Sequence, residues 1–201
     1  MTTLFLIRHG QTDYVGKRIA GYLPGIHLNL LGQSQAQSTA SIMAKYSIQA
    51  IFASPLERTQ ETAAFLGATL KLRVTLLDFL KEVNFGELQG LGVELNSLAI
   101  WQDFKQQPAR VKFPGGESII EAQERIVRGL SDLARQFSQQ EQIICVAHGE
   151  IIRLAITYAL GMPLDECMRL TIDPASISCV DWDTDHQTIK FLNSRPEEHK
   201  I

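Results

Sequence analysis

Apolar residues along this chain fall into two alternating patterns. Short apolar runs at 3–8, 50–54, 74–78 and 143–148 have strand length, and each precedes a longer stretch with helical spacing, at about 32–46, 56–70, 118–138 and 150–160. This alternation predicts an α/β fold: a three-layer sandwich with a mostly parallel central sheet and helices on both faces. The late runs Ser176–Trp182 and Thr188–Asn193, joined across Asp183-Thr184-Asp185-His186-Gln187, predict a hairpin that adds antiparallel edge strands. No repeat, low-complexity stretch or linker interrupts the pattern, so one domain over 1–201 is expected, with residues 194–201 fraying at its end.

With 201 residues, 45% of them hydrophobic, the chain is long enough to bury a substantial core. Its formal charge of −3 argues against nucleic acid as a main partner, and it makes any cationic pocket a local focus on a mildly acidic body. No apolar run reaches membrane-spanning length, and Met1-Thr2-Thr3 lacks the basic start of a secretory signal. A cytoplasmic protein without a membrane partner is expected; a homodimer is left open. Cys145, Cys167 and Cys179 are odd in number and form no Cys-x-x-Cys pair, which suggests buried thiols instead of a disulfide framework or zinc site.

Chemistry gathers where predicted strands end. Leu4-Phe5-Leu6-Ile7 stops at Arg8-His9-Gly10, followed by Gln11-Thr12, and Ile143-Ile144-Cys145-Val146-Ala147 stops at His148-Gly149. Two parallel strands that each end in His-Gly bring both histidines to one crevice, where Gly10 lets the backbone approach a ligand. Between them, Ala50-Ile51-Phe52-Ala53 leads into Ser54-Pro55-Leu56-Glu57-Arg58. Here Ser54 reads as the helix N-cap, Pro55 as the first helical residue and Glu57 as the return arm of a capping box, which puts Arg58 in an anion-favouring first turn. Glu82, in Leu80-Lys81-Glu82-Val83-Asn84-Phe85-Gly86, is a carboxylate out of place in a phosphate pocket unless it moves a proton.

In this order the four pieces resemble the histidine phosphatase superfamily, the group that includes cofactor-dependent phosphoglycerate mutases. The resemblance covers Leu4 to about Arg153, and Pro114-Gly115-Gly116-Glu117-Ser118 is a further familiar element. It implies that His9 is the nucleophile, that Arg8, Arg58 and His148 bind the phosphoryl group, and that Glu82 is the general acid and base. It implies further that Gln11, Thr12, Gly21 and Gly149 line the pocket, that 91–116 forms a lid or specificity segment, and that no cofactor or metal takes part. One departure is Val15, which stands where many members carry an asparagine that touches phosphate.

These residue types suit phosphoryl transfer, in which charge spreads over the equatorial oxygens and catalysis is mostly positioning and electrostatics. Arginine forks make paired, charge-assisted bonds to phosphate oxygens. A histidine nucleophile must be unprotonated, which cationic neighbours favour, whereas the acid must hold a proton near neutral pH, which burial favours. The expected activity is metal-independent hydrolysis of a small phosphorylated metabolite through a phosphohistidine. A mutase of the phosphoglycerate type is the alternative, and Val83-Asn84-Phe85 lacks the arginine and histidine-tyrosine pair typical of that subgroup after its acid. A silent phospho-ligand module is a third reading, opposed by intact His9 and Glu82. Structural histidines, a zinc site, and Glu87 in place of Glu82 are the competing assignments. His27, His186 and His199 read as solvent-facing, and Lys17 and Arg18 as solvated residues near enough to meet an acidic substrate.

Overall fold

Strands β1 (Thr2–Arg8) and β4 (Gln142–Ala147) pair in parallel at the centre of the sheet because both of their faces are apolar. In the computed structural model, which describes residues 1–183 and 186–195, the sheet order is β3-β2-β4-β1-β5-β6. Strands β2 (Ile48–Ala53) and β3 (Val74–Leu76) extend it in parallel beyond β4. The late hairpin supplies β5 (Ile177–Trp182), antiparallel to β1, and β6 (Gln187–Ser194), antiparallel to β5.

Side-chain alternation along the central strands divides the core into two layers. Leu4, Leu6, Ile143 and Cys145 face helices α4 (Ile119–Ala134) and α5 (Gly149–Ala159). Phe5, Ile7, Ile144 and Val146 face α1 (Leu30–Met43) and α2 (Glu57–Leu70). The expected sandwich is therefore the observed one. All three cysteines are buried free thiols, and among the described residues no helix is long and apolar enough to cross a membrane.

Local differences from the sequence expectation have identifiable causes. Helix α1 starts earlier because Asn29 Oδ1 accepts the Gly32 amide at 2.9 Å. Helix α2 is not capped by Ser54: its N-cap is Leu56, with no side-chain cap bond, and Pro55 lies outside the helix. The Ser54 hydroxyl is engaged with His148 instead, and Glu57 accepts the Gly25 amide at 3.0 Å. Helix α4 has a full capping box between Ser118 and Glu121. Within 91–116 a short helix α3 (Ala99–Gln106) forms because Ile100, Trp101 and Phe104 pack on the first core layer. Ser194 still pairs with Ile177; residues 196–201, with His199, and Thr184 and Asp185 of the turn lie outside the described residues.

Gly10 serves a purpose other than the expected one. A Cβ there would stand 2.4 Å from the Gly32 carbonyl oxygen, and a Cβ on Gly32 would stand 2.1 Å from the Gln11 carbonyl oxygen. The missing side chains thus let the loop after β1 lie directly on the first turn of α1; they do not open space for a ligand. The contact is backbone to backbone, so no rotamer change can relieve it. Gly32→Ala is expected to destabilise the protein by about 1–3 kcal/mol, as overpacking does, read as a lower urea midpoint at unchanged slope.

Candidate active site

Three neighbouring parallel strands, β2, β4 and β1, end together and deliver Ser54, His148 and His9 to one crevice. Arg8 is in register with Ala147, and the His9 amide donates to the Ala147 carbonyl at 3.0 Å. The two imidazoles consequently meet edge to face, with centroids 5.3 Å apart. His148 is the N-cap residue of α5, and Arg58 is the second residue of α2.

The hydrogen bonds around His9 define its tautomer. Nδ1 lies 2.7 Å from the Gly10 carbonyl oxygen, which can only accept, so the ring proton is assigned to Nδ1. Nε2 is then a bare lone pair, and Arg58 Nε donates to it at 3.3 Å. Burial, then the charges of Arg58 and Arg8, hold the His9 pKa well below 6.5 against the opposing Gly10 bond. His148 Nε2 lies 2.8 Å from Ser54 Oγ. Burial, followed by Arg58, His9 and Arg8, also holds His148 well below its ordinary value.

Both arginines are anchored and leave donors free. Arg8 Nη1 donates to the Ile172 carbonyl at 2.6 Å, and Arg58 Nη2 donates to the Gly21 carbonyl at 2.8 Å. Burial lowers the Arg58 pKa to about 10, with Glu82 and Glu57 opposing and Arg8 adding to the fall. Arg8 Nε, Arg58 Nη1 and His148 Nδ1 are buried without a hydrogen-bond partner in the protein. Buried donors left unpaired are costly, and among the described residues Arg8 and Arg58 carry theirs into one cavity.

Glu82 sits at the N-terminus of α5. Its Oε1 accepts the Val83 amide at 3.0 Å and the Ile151 amide at 3.1 Å, whereas Oε2 accepts only the Glu150 amide, at 3.3 Å. Burial, then the charge of Glu150, raises its pKa above the ordinary carboxyl value, although the Val83 bond, Arg58 and Arg8 oppose the rise. Oε1 is thus the anchored oxygen and Oε2 the one better placed to carry a proton. The segment is fixed from behind by Arg125 of α4, which donates to the carbonyls of Phe79, Lys81 and Glu82 and pairs with Glu117 at 2.7 Å.

Arg8, His9, Arg58 and Glu82 share a cavity of about 540 Å³ with Thr12, residues 14–21, Phe85, Glu150 and part of 91–101. Thr12 and Gly21 of the expected set belong to this lining, as does Val15. Gln11, His148 and Gly149 do not: the Gln11 amide donates to Gln35, and Gly149 packs on the Arg8 guanidinium, which a Cβ would meet at 3.2 Å. His27 is exposed and paired with Glu61, and His186 is exposed. Sequence reasoning missed Tyr14, Glu150 and Arg125. Glu150 had a signal, an acid in the first turn of the helix after His148-Gly149. Arg125 had none, because its partners are mostly backbone carbonyls distant in sequence.

Among the described residues no group of three or more His, Cys, Asp or Glu side chains could hold a metal ion. Residues 4–195 match the histidine phosphatase superfamily, branch 1. The chain belongs to that superfamily. It is 29% identical over 198 residues to phosphoserine phosphatase 1 of Hydrogenobacter thermophilus, covering 96% of this chain and 92% of the relative. It is 31% identical over 175 residues to glucosyl-3-phosphoglycerate phosphatase of Mycolicibacterium vanbaalenii, covering 81% and 76%. The solved structure of a mycobacterial glucosyl-3-phosphoglycerate phosphatase complexed with VO3 superposes with a TM-score of 0.85 at 27% identity, covering 96% of this chain and 99% of the other. Such relatives, named for small phosphorylated substrates, make this chain a phosphatase of the histidine phosphatase family, a phosphoric monoester hydrolase.

For a histidine phosphatase with unpaired buried guanidinium donors on Arg8 and Arg58, an oxyanion should stabilise the fold without any turnover. Vanadate or phosphate at about 100 times its dissociation constant is expected to add about 2.7 kcal/mol, measured as a rise in Tm. Arg58→Met should abolish most of that rise; an undiminished rise would place the anion elsewhere.

Proposed function

We propose that residues 1–201 form one unit that hydrolyses small phosphomonoesters in two displacements through a phosphohistidine on His9, without metal or cofactor. In this reading Arg8, Arg58 and His148 hold the phosphoryl group, Thr12 and Gly21 shape the pocket, Gln11 and Gly149 support it from behind, and 91–116 is the substrate-facing lid. The observation that carries the proposal is the bare Nε2 of a buried, neutral His9, next to a guanidinium with an unpaired Nη1 and in one cavity with Glu82. The names of the relatives, phosphoserine phosphatase and glucosyl-3-phosphoglycerate phosphatase, support the same class of substrate.

In the first step the Nε2 lone pair attacks phosphorus, the bond to the ester oxygen breaks, and Glu82 Oε2 gives its proton to the leaving oxygen. The Nδ1 proton stays on the ring and keeps donating to the Gly10 carbonyl, which steadies the ring as it becomes cationic. In the second step the Glu82 carboxylate takes a proton from water as that water attacks phosphorus. The nitrogen–phosphorus bond breaks, inorganic phosphate leaves, and the acid is restored. The guanidiniums provide the charge stabilisation that the equatorial oxygens need.

Rapid acid-free quenching of a turnover with ³²P-labelled substrate, in EDTA, should trap acid-labile label on the protein. His9→Ala should carry none and retain essentially no activity. Label that persists in His9→Ala would refute the nucleophile.

Glu82→Gln should lower kcat on an alkyl phosphate by about 10²–10⁴ and cost much less on p-nitrophenyl phosphate, whose leaving group needs no proton. The raised Glu82 pKa sets the sign of the pH dependence. The proton is present below that pKa and lost above it, so alkyl phosphate hydrolysis falls as pH rises through it while p-nitrophenyl phosphate hydrolysis holds. Parallel losses on both esters would assign Glu82 a structural role.

A further inference from the structure

A cavity of about 540 Å³ is far larger than a phosphoryl group requires, and small-molecule sites of about 300–1,000 Å³ take whole ligands. The remainder of the space belongs to the alcohol portion of the ester, and beside the polar Tyr14, Lys17, Arg18 and Asn96 its lining holds a set of apolar side chains. Val15, Ile19, Phe85, Val93, Leu95 and Trp101 contribute to it. Val93 is 86% exposed in the free protein, an apolar side chain held in water at the cavity.

The aromatic part of this wall is rigid. Phe85 lies 6.4 Å from Trp101 between ring centroids, and both are backed by buried Phe104, at 6.0 and 5.2 Å respectively. Phe113 completes the packing, 4.9 Å from Phe85. Opposing loops are tied together by backbone: the Ile19 amide donates to Leu91 at 2.9 Å and the Gly90 amide to Ile19 at 2.8 Å. Glu82 and Phe85 come from the same short segment and line the same cavity, so an ester oxygen at Glu82 and a ring against Phe85 share one space.

Charge in the lining argues in the same direction. Lys17 and Arg18 are exposed, where water and salt screen them, and Arg18 faces the Glu94 carboxylate, whose pKa it helps to lower. The more enclosed charge is Glu150, which pairs with Arg153 and presents a carboxylate to the cavity. A second anionic group on the substrate would meet Glu150 and the apolar wall, and the only cations it would find beyond Arg8 and Arg58 in this lining are the exposed Lys17 and Arg18.

Resting on the phosphatase reading above, we infer that the alcohol subsite is built for an aromatic, uncharged group, and that the preferred substrates are monophosphates of aryl-bearing alcohols rather than small esters with a second acid group. Phe85 and Trp101 are the specificity-determining residues of this subsite.

The test reads binding and needs no turnover. Calorimetry on the full chain compares three phosphonates: ethyl, 2-phenylethyl and 2-carboxyethyl. The 2-phenylethyl compound is expected to bind at least about tenfold more tightly than the ethyl compound, with a more negative heat-capacity change, and more tightly than the carboxyethyl compound. In Trp101→Ala the ratio between phenylethyl and ethyl compounds should collapse towards unity, and Trp101→Phe should restore most of it. Equal affinities, or preference for the carboxyethyl compound, would overturn the aromatic subsite while leaving a phosphohistidine on His9 intact. Failure of His9 labelling would not alter the binding ratios. Absence of binding by all three would overturn the subsite together with the phosphate-site reading it rests on.

Discussion

Two guanidiniums, Arg58 buried and Arg8 partly so, sit at the ends of three parallel strands with no carboxylate in ion-pair contact among the described residues, and the electrostatic cost of that arrangement governs everything near it. Taking charges out of water is expensive unless they are paired. Arg8 and Arg58 are held by backbone carbonyls of Ile172 and Gly21, not by carboxylates. Their field and the same burial keep His9 and His148 neutral. Burial and Glu150 favour the protonated form of Glu82. With Glu82 protonated, the charges next to the two histidines are those of Arg8 and Arg58. A phosphate monoester brings about two negative charges, so the ligand supplies the compensation that the fold omits. In the proposed mechanism binding energy and proton inventory are thereby coupled: the state that best receives the dianion is also the state in which His9 is ready as nucleophile and Glu82 as acid.

Rigidity in the surrounding scaffold makes this affordable. Gly10 and Gly32 let the nucleophile loop rest directly on α1, while Thr62 Oγ1 accepts the Gly10 amide at 3.1 Å. Across the crevice, Arg125 ties the Glu82 segment to α4 through several carbonyls and Glu117. The amides of α5 hold the Glu82 carboxyl itself. His9 and Glu82 are therefore each oriented by backbone groups of a different element, and in the proposed mechanism little reorganisation is left for the moment of reaction. On the proposed reading the two halves of the cavity divide their tasks, with cationic strand ends for the phosphoryl group and aromatic loop residues for the alcohol.

The sequence by itself determined the alternation of strands and helices, and with it a sheet whose carboxyl ends would carry His9 and His148, because continuous apolar runs and His-Gly stops are local signals. It also brought Arg58 to the first turn of α2, since that depends only on where a strand ends and a helix begins. What tertiary structure alone decided were relations between distant backbones. Ser54 reads as a cap until β2 and β4 pair, when its hydroxyl lies closer to His148 than to the helix amides. Gly10 reads as room for a ligand until α1 occupies that room. Arg125 is an unremarked helical arginine until the carbonyls of 79, 81 and 82 arrive beside it. Trp101 and Phe85 become one wall only through Phe104 and Phe113. In each case the deciding partner is a backbone carbonyl or an aromatic face brought from far along the chain, and such partners leave no mark on the residue types that meet them.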